Sequence, residues 1–247
     1  MHIDRVDLKT AAARLFDWCH GSREGACRYV VTPNVDHAVM YQTRADLQEA
    51  YKSAAMVVAD GTPLVWASRL LRRPLPERVA GSDLVPSLFQ LAASRPEPFR
   101  VFLLGAAPGV AQRAAKQIEH RWNNVVVAGT LSPPVGFEHD ADEIGRIIAA
   151  ISESQPDLLV IGLGAPKQEL WIAQHHTQLA AKVAICAGAT IDFLAGEKQR
   201  SPVWMRRAGL EWLHRLVTEP RRLAMRYARD AWIFPQLVWR EWRGLCG

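Results

Sequence analysis

The chain has 247 residues, 49% of them hydrophobic and 22% charged, with a formal net charge of +5. That length carries a sizeable core in one large domain or one domain plus an appendage, and no apolar run approaches the roughly 18 residues of a membrane span. The N-terminal Met1-His2-Ile3-Asp4-Arg5 lacks the charged-then-apolar pattern of a secretory signal, so the body of the chain is expected in the cytoplasm.

Val6 to Trp18 has helical apolar spacing and predicts an opening helix. Arg28–Thr32 reads as a short strand ending in Thr32-Pro33-Asn34, and Val35 to Tyr51 as one helix. The apolar run Ala55–Ala59 ends in Asp60-Gly61. A helix over Pro63–Leu71 and a basic, proline-rich loop through Arg78 follow. Ser82 or Asp83 is the expected cap of a helix over Leu84–Ala93. Arg100–Leu104 is a strand closed by Gly105 to Gly109, and Val110–Arg121 a helix. Asn124–Ala128 is again a strand, and Ala141–Ser152 a helix.

Asp157–Glu169 reads D-L-L-V-I-G-L-G-A-P-K-Q-E. Leu158 to Ile161 are apolar without alternation, as in a strand buried on both faces. Gly162 and Gly164 permit a sharp turn and close approach to a ligand. Pro166 suits the start of a helix, with Lys167, Gln168 and Glu169 in its first turn. Strand, glycine loop and helix N-terminus in succession form the usual anion-binding position of an open α/β sheet. Lys182–Cys186 is the last strand, ending in Gly188-Ala189-Thr190-Ile191-Asp192. The alternation predicts about six parallel strands in a Rossmann-like α/β domain, a parallel sheet flanked by helices, over residues 1–197.

Beyond Gly196 only helices are expected: Ser201–Val217, a break at Thr218–Pro220, Arg221–Phe234, then Pro235 and a short amphipathic end. Residues 198–247 hold 11 Lys+Arg against 4 Asp+Glu and five of the nine tryptophans, so this helical appendage carries the whole basic excess. Arginine interleaved with tryptophan suits a surface that is anionic and partly apolar, such as a membrane face. No nucleic-acid motif accompanies it.

Several strand ends carry polar or glycine residues (Thr32, Asn34, Asp60, Gly105, Gly162, Gly164, Gly188), and a parallel sheet brings them to one edge. Neither a GxGxxG fingerprint nor a GxxxxGK[ST] loop is present, which disfavours NAD enzymes and P-loop NTPases. Asp140-Ala141-Asp142 has the DxD pattern of some metal sites, but its place before a helix favours capping. His37, His175 and His176 lack a third ligand at metal spacing and read as surface or packing residues. The four cysteines (Cys19, Cys27, Cys186, Cys246) are scattered and read as thiols. No metal and no cofactor is expected.

The segments T-P-N-V-D-H (32–37), V-A-D-G-T-P (58–63), E-R-V-A-G-S-D (77–83), F-L-L-G-A (102–106), G-L-G-A-P-K-Q-E (162–169) and C-A-G-A-T-I-D-F-L-A-G (186–196) occur in that order. With the tail R-A-G-L-E-W-L-H-R-L-V-T-E-P-R-R (207–222), they resemble the WecG/TagA/CpsF glycosyltransferases, glycosyltransferase family 26. The resemblance implies an inverting, metal-independent transfer of a sugar from a UDP-sugar to a polyprenyl-diphosphate-linked sugar on the inner membrane face, in bacterial cell-surface polysaccharide synthesis. It implies Asp60 as the base, with Thr32, Asn34 and Gln168 beside it. Arg78 is the arginine of the E-R-V-x-G motif. UDP binding is expected from Arg78 and Lys167 and from Gly105, Gly162, Gly164, Pro166, Glu169, Gly188 and Asp192. The arginines closing over the lipid diphosphate correspond to Arg215, Arg222 and Arg226. A non-catalytic nucleotide-binding scaffold subunit is the rival reading. Which sugar is moved, and whether the chain forms a homo-oligomer, stay open at this level.

Overall fold

Apolar strands that must be covered on both faces dictate a three-layer arrangement, and the computed structural model has one. It describes residues 1–22 and 25–246, with the side chains of Arg207, Arg222 and Cys246 excepted. Among them, β1 (Arg28–Val31), β2 (Met56–Val57), β3 (Phe99–Gly105), β4 (Val125–Leu131), β5 (Leu158–Gly162) and β6 (Val183–Cys186) form one sheet. All pairings are parallel, in the order β2-β1-β6-β5-β3-β4. The helices are α1 (Leu8–His20), α2 (Val35–Met40), α3 (Ala45–Lys52), α4 (Thr62–Leu70), α5 (Gly81–Ala93), α6 (Val110–Arg121), α7 (Ala141–Ser154), α8 (Lys167–His175), α9 (Thr190–Leu194), α10 (Val203–Arg207), α11 (Glu211–Thr218) and α12 (Pro220–Cys246). The expected Rossmann-like sheet flanked by helices, with a helical C-terminal segment, is therefore what the chain forms.

The strand side chains alternate between two cores. Val30, Val101, Leu103, Val160 and Ile185 face α1, α5 and α6. Tyr29, Phe102, Leu104, Leu159 and Ile161 face α3, α7 and α8. The winding runs outward from β1 to β2 and from β3 to β4, with β5 and β6 filling the middle. That order leaves a crevice at the carboxyl ends of the central strands.

Two glycines let those ends approach. A Cβ on Gly105 would lie 2.5 Å from the Gly162 carbonyl oxygen, and Gly105 has φ +117. A Cβ on Gly162 would lie 2.8 Å from the Gly188 carbonyl oxygen. Neighbouring backbones thus touch where side chains would otherwise hold them apart.

Four local expectations are corrected. Val35 to Tyr51 is not one helix: α2 and α3 are separated at Tyr41–Arg44. Ala38 packs in a small cluster with Ala59, Leu64 and Leu75, whereas Leu47 and Tyr51 join the core under α8, and one straight helix cannot serve both. Neither Ser82 nor Asp83 caps α5, which starts at Gly81 with Ala80 at its N-cap, because Asp83 is drawn into ion pairs. The helix expected over Ser201–Val217 is broken at Gly209, whose φ of +75 ends α10 and whose Cβ would meet Thr62 at 2.6 Å. Pro235 does not end a helix but lies inside α12, where the Gln236 side chain donates to the Trp232 carbonyl in the same turn. Cys19, Cys27 and Cys186 are buried and form no disulfide among the described residues, and the Cys246 side chain lies outside the described residues.

Gly105→Ala forces a methyl group onto the Gly162 backbone at a φ that disfavours it. It is expected to lower stability by about 3 kcal/mol. Urea unfolding measures this, and a loss under about 1 kcal/mol would contradict the close approach.

Candidate active site

Loops following β1, β2, β5 and β6 meet at the carboxyl edge, and α11 and α12 close the far side of a cleft of about 650 Å³. The loop after β2 is tied to the loop after β1 by a bond from the Asp60 N–H to the Pro33 carbonyl at 2.7 Å. This sets Asp60 in the cleft with 32% of its side chain exposed. Enclosure by the cleft walls desolvates the carboxylate and pushes its pKa up to about 6; Arg78 and Arg215 oppose the rise, while Glu211 and Asp83 add to it. Arg78 Nη1 stands 3.8 Å from Asp60 Oδ1. A carboxylate of that pKa is ionised at neutral pH yet basic enough to take a proton.

Thr32 and Asn34 follow β1. The Thr32 hydroxyl donates to the Cys186 carbonyl at 2.8 Å, joining the ends of β1 and β6. Asn34 caps α2, its Oδ1 accepting from the His37 N–H. His37, read from the sequence as a surface or packing residue, belongs instead to a buried polar network. Its Nδ1 is 2.9 Å from Asn34 Oδ1 and its Nε2 3.3 Å from Glu169 Oε1. The available signal was the spacing of Asn34 and His37, with Asn34 at the N-cap of α2 and the His37 N–H donating to its side chain. Glu169 also accepts from Gln168 Nε2 at 2.7 Å.

The cleft is lined by Thr32, Asn34, Asp60, Arg78, Gly162, Gly164, Gln168, Gly188, Asp192, Arg215 and Arg226 among the residues expected to act there. Gly105, Pro166, Lys167 and Glu169 are not in its lining. Gly105 is spent on strand contact, and Pro166 sits at the N-cap of α8. Glu169 is fully buried behind the wall. Lys167 points to Glu138, 2.6 Å away, over the Phe137 ring. The Arg222 side chain lies outside the described residues. Asp140 caps α7 through the N–H groups of Asp142 and Glu143, away from the cleft lining.

The C-terminal helices reach the body through charge. Asp83 takes Arg78 at 2.8 Å, Arg200 at 2.7 Å and Arg206 at 3.6 Å. Glu211 on α11 takes Arg78 at 2.7 Å. Asp36, buried on α2, takes Arg226 at 3.4 Å and also Arg229. Arg215 lines the cleft without an ion-pair partner among the described residues. Asp36, Asp83, Arg200 and Glu211 were not singled out by motif as site residues, since their partners are distant in sequence.

The glycosyltransferase family described as WecG/TagA/CpsF matches residues 1–245. The chain belongs to this family. It is thus a glycosyltransferase, and the cleft is its candidate active site. Among its relatives is the N-acetylglucosaminyldiphosphoundecaprenol N-acetyl-beta-D-mannosaminyltransferase of Staphylococcus aureus strain MRSA252. The two are 31% identical over 195 residues, covering 79% of this chain and 74% of the relative. The protein of the same description from strain NCTC 8325 is 30% identical over the same share of each chain.

For Asp83, burial opposes ionisation, but Arg200, Arg78 and Arg206 outweigh it and hold the carboxyl below its ordinary 3.8. A lowered folded-state pKa contributes stability that is present above 3.8 and lost as pH falls through the lower value. Asp83→Ala leaves three arginines short of a partner. At pH 7, hydrogen exchange over 200–218 is expected to speed up at least about tenfold. At pH 3 wild type and variant should differ less, and equal exchange at pH 7 would contradict the clasp.

Proposed function

We propose that this glycosyltransferase moves a sugar from a UDP-sugar to a polyprenyl-diphosphate-linked sugar, with inversion and without a metal ion. The observation that carries the reading is Asp60, a carboxylate of raised pKa in the cleft with Arg78 and Arg215 nearby. The acceptor hydroxyl attacks the anomeric carbon on the face opposite UDP. Its proton passes to Asp60, the carbon–oxygen bond to UDP breaks, and the electron pair leaves on the β-phosphate oxygen. One displacement inverts the centre and needs no covalent intermediate. Arg78, Arg215 and Arg226 supply fixed positive charge for the diphosphate groups. The names of the Staphylococcus relatives support a lipid-diphosphate sugar as acceptor.

We assign residues 198–247 to the membrane surface, at the inner face of the plasma membrane, in cell-surface polysaccharide synthesis. Trp204, Trp212, Met225, Trp232 and Trp239 are exposed there, and Trp66 and Leu70 are exposed on α4 of the body. Among the described residues no helix is long and apolar enough to cross a membrane, so this assignment is to its surface. The double variant Trp232→Ser/Trp239→Ser is expected to co-sediment at least about fivefold less with anionic vesicles, and unchanged binding would contradict it.

The defining experiment follows UDP release from each UDP-sugar with liposomes, a polyprenyl-diphosphate-sugar acceptor and EDTA. Turnover with one donor is expected, and retention of configuration in the product would overturn the single displacement. Turnover that appears only with Mg²⁺ or Mn²⁺ would overturn metal independence. Silence under both conditions would overturn the assigned reaction.

Asp60 gives a two-sided prediction. Its raised pKa means that the folded chain binds more protons than the unfolded chain between pH 3.8 and about 6, so its ionisation opposes folding as pH rises through that window. Asp60→Asn should therefore melt no lower than wild type at pH 7.5. Its turnover should fall by about 10²–10⁴. In wild type, kcat/KM should rise through a limb near pH 6. A stable Asp60→Asn variant with full turnover would remove Asp60 from the chemistry.

A further inference from the structure

We infer that His37 and Glu169 form a charged positioning pair that sets which atom each of two cleft amides, Asn34 and Gln168, turns to the bound sugar. The inference deepens the proposed transfer and rests on it only for the identity of the ligand.

Glu169 is 0% exposed on the first turn of α8. A carboxylate there needs donors, and its Oε1 meets two: Gln168 Nε2 at 2.7 Å and His37 Nε2 at 3.3 Å. A carboxylate only accepts, so Gln168 must turn its NH₂ inward. Its Oε1 is then left without a partner among the described residues, on a residue that is 3% exposed and lines the cleft.

On the opposite side of the ring, His37 Nδ1 lies 2.9 Å from Asn34 Oδ1. That oxygen also accepts from the His37 backbone N–H, which fixes the amide's orientation. A neutral imidazole has one N–H. If it sits on Nε2, two lone pairs face each other between Nδ1 and Asn34 Oδ1. If it sits on Nδ1, a lone pair faces the Glu169 carboxylate. Only the imidazolium donates both ways. The Asn34 backbone N–H also approaches Nδ1, at 3.3 Å, and the imidazolium forgoes that longer contact.

The surrounding charges agree. Burial alone would lower the His37 pKa, but Glu169, Asp36 and Asp60 outweigh it and hold it above the ordinary value. Asp36 is itself shared with Arg226 and Arg229. The result is a fixed polarity. Asn34 keeps its NH₂ as the free donor, and Gln168 keeps its Oε1 as the free acceptor. A sugar meets that pair with an oxygen that accepts from Asn34 and a hydroxyl that donates to Gln168.

The test is a long-range ¹⁵N spectrum of the histidine rings in the full chain at pH 7.5, with His37 assigned through His37→Gln and Glu169→Gln. Wild type should show both His37 nitrogens protonated. Glu169→Gln keeps an acceptor oxygen but removes the charge, and should return the ring to a neutral tautomer. A neutral His37 in wild type overturns the inference, as does an imidazolium that survives Glu169→Gln. The spectrum needs no turnover, so it judges the pair even if the proposed reaction fails. If His37→Gln does not fold, the Glu169→Gln shift alone makes the assignment. Where turnover is measurable, Glu169→Gln should lower kcat about tenfold with donor KM within about twofold. Combined with Gln168→Ala, it should cost no more than about twofold beyond Gln168→Ala alone. Fully additive losses overturn the inference.

Discussion

The close approach of β3, β5 and β6 at their carboxyl ends is the constraint from which the site follows. Parallel pairing sends every strand the same way, so the loops leave from one edge. Hydrogen bonding alone does not make that edge a cleft. At Gly105 and Gly162 the backbones meet the neighbouring strand ends at distances that a Cβ would forbid. The loop after β5 can then fold toward the loop after β6, and the first turn of α8 is drawn against α2. Thr32 completes the join by donating across to Cys186. Asp60 reaches the same place from the outermost strand on that side, held by the Pro33 carbonyl. Packing at the strand ends therefore decides which side chains share one volume.

Charge decides what that volume does. Arg78 serves Asp83 and Glu211 at close range and Asp60 at 3.8 Å. Desolvation wins over these cations at Asp60, which rises, whereas three arginines win over desolvation at Asp83, which falls. Two aspartates sharing one guanidinium thus titrate in opposite directions. The first suits the proton acceptor of the proposed reaction, and the second is a fixed anion joining α5 to the segment that carries Arg200 and Arg206. Partly buried ion pairs contribute little net stability compared with apolar contacts, but they are demanding in geometry. They suit the setting of a register between the sheet edge and the C-terminal helices better than they suit a role as glue.

Much of this was legible in the sequence because it is local. Unbroken apolar runs gave the strands, and polar or glycine residues at their ends marked the common edge. Asp60, Arg78, Asn34 and Gln168 stand within short motifs, and all line the cleft. What was not legible depends on partners far along the chain. Arg200 and Asp83 are separated by 117 residues, and their pairing removed Asp83 from the cap position that its local setting suggested. Lys167 looked like a phosphate ligand from its place in the first turn of α8, but Glu138 claims it from the segment before α7. His37 looked idle because the carboxylate that gives it a role lies 132 residues on. The break at Gly209 failed for the same reason, since Thr62, far earlier in the chain, leaves no room there for a side chain; Pro235 lies inside α12.

The pairing of Arg78 also bears on how the proposed reaction must proceed. A guanidinium that binds one carboxylate of the body and one of α11 cannot present the same N–H groups to a diphosphate. A donor diphosphate carries more charge than the single carboxylate of Glu211, so in the proposed reaction it competes with Glu211 for Arg78. Glu211 raises the pKa of Asp60, and its departure from Arg78 changes the charge facing the base. The arriving diphosphate acts in the same direction as Glu211, which makes positive charge without a carboxylate partner necessary at this point. Arg215, one helical turn along α11 from Glu211, lines the cleft and lowers the Asp60 pKa. In the proposed reaction, donor binding, the seating of α11 and the ionisation of Asp60 are therefore linked through Arg78 and Arg215.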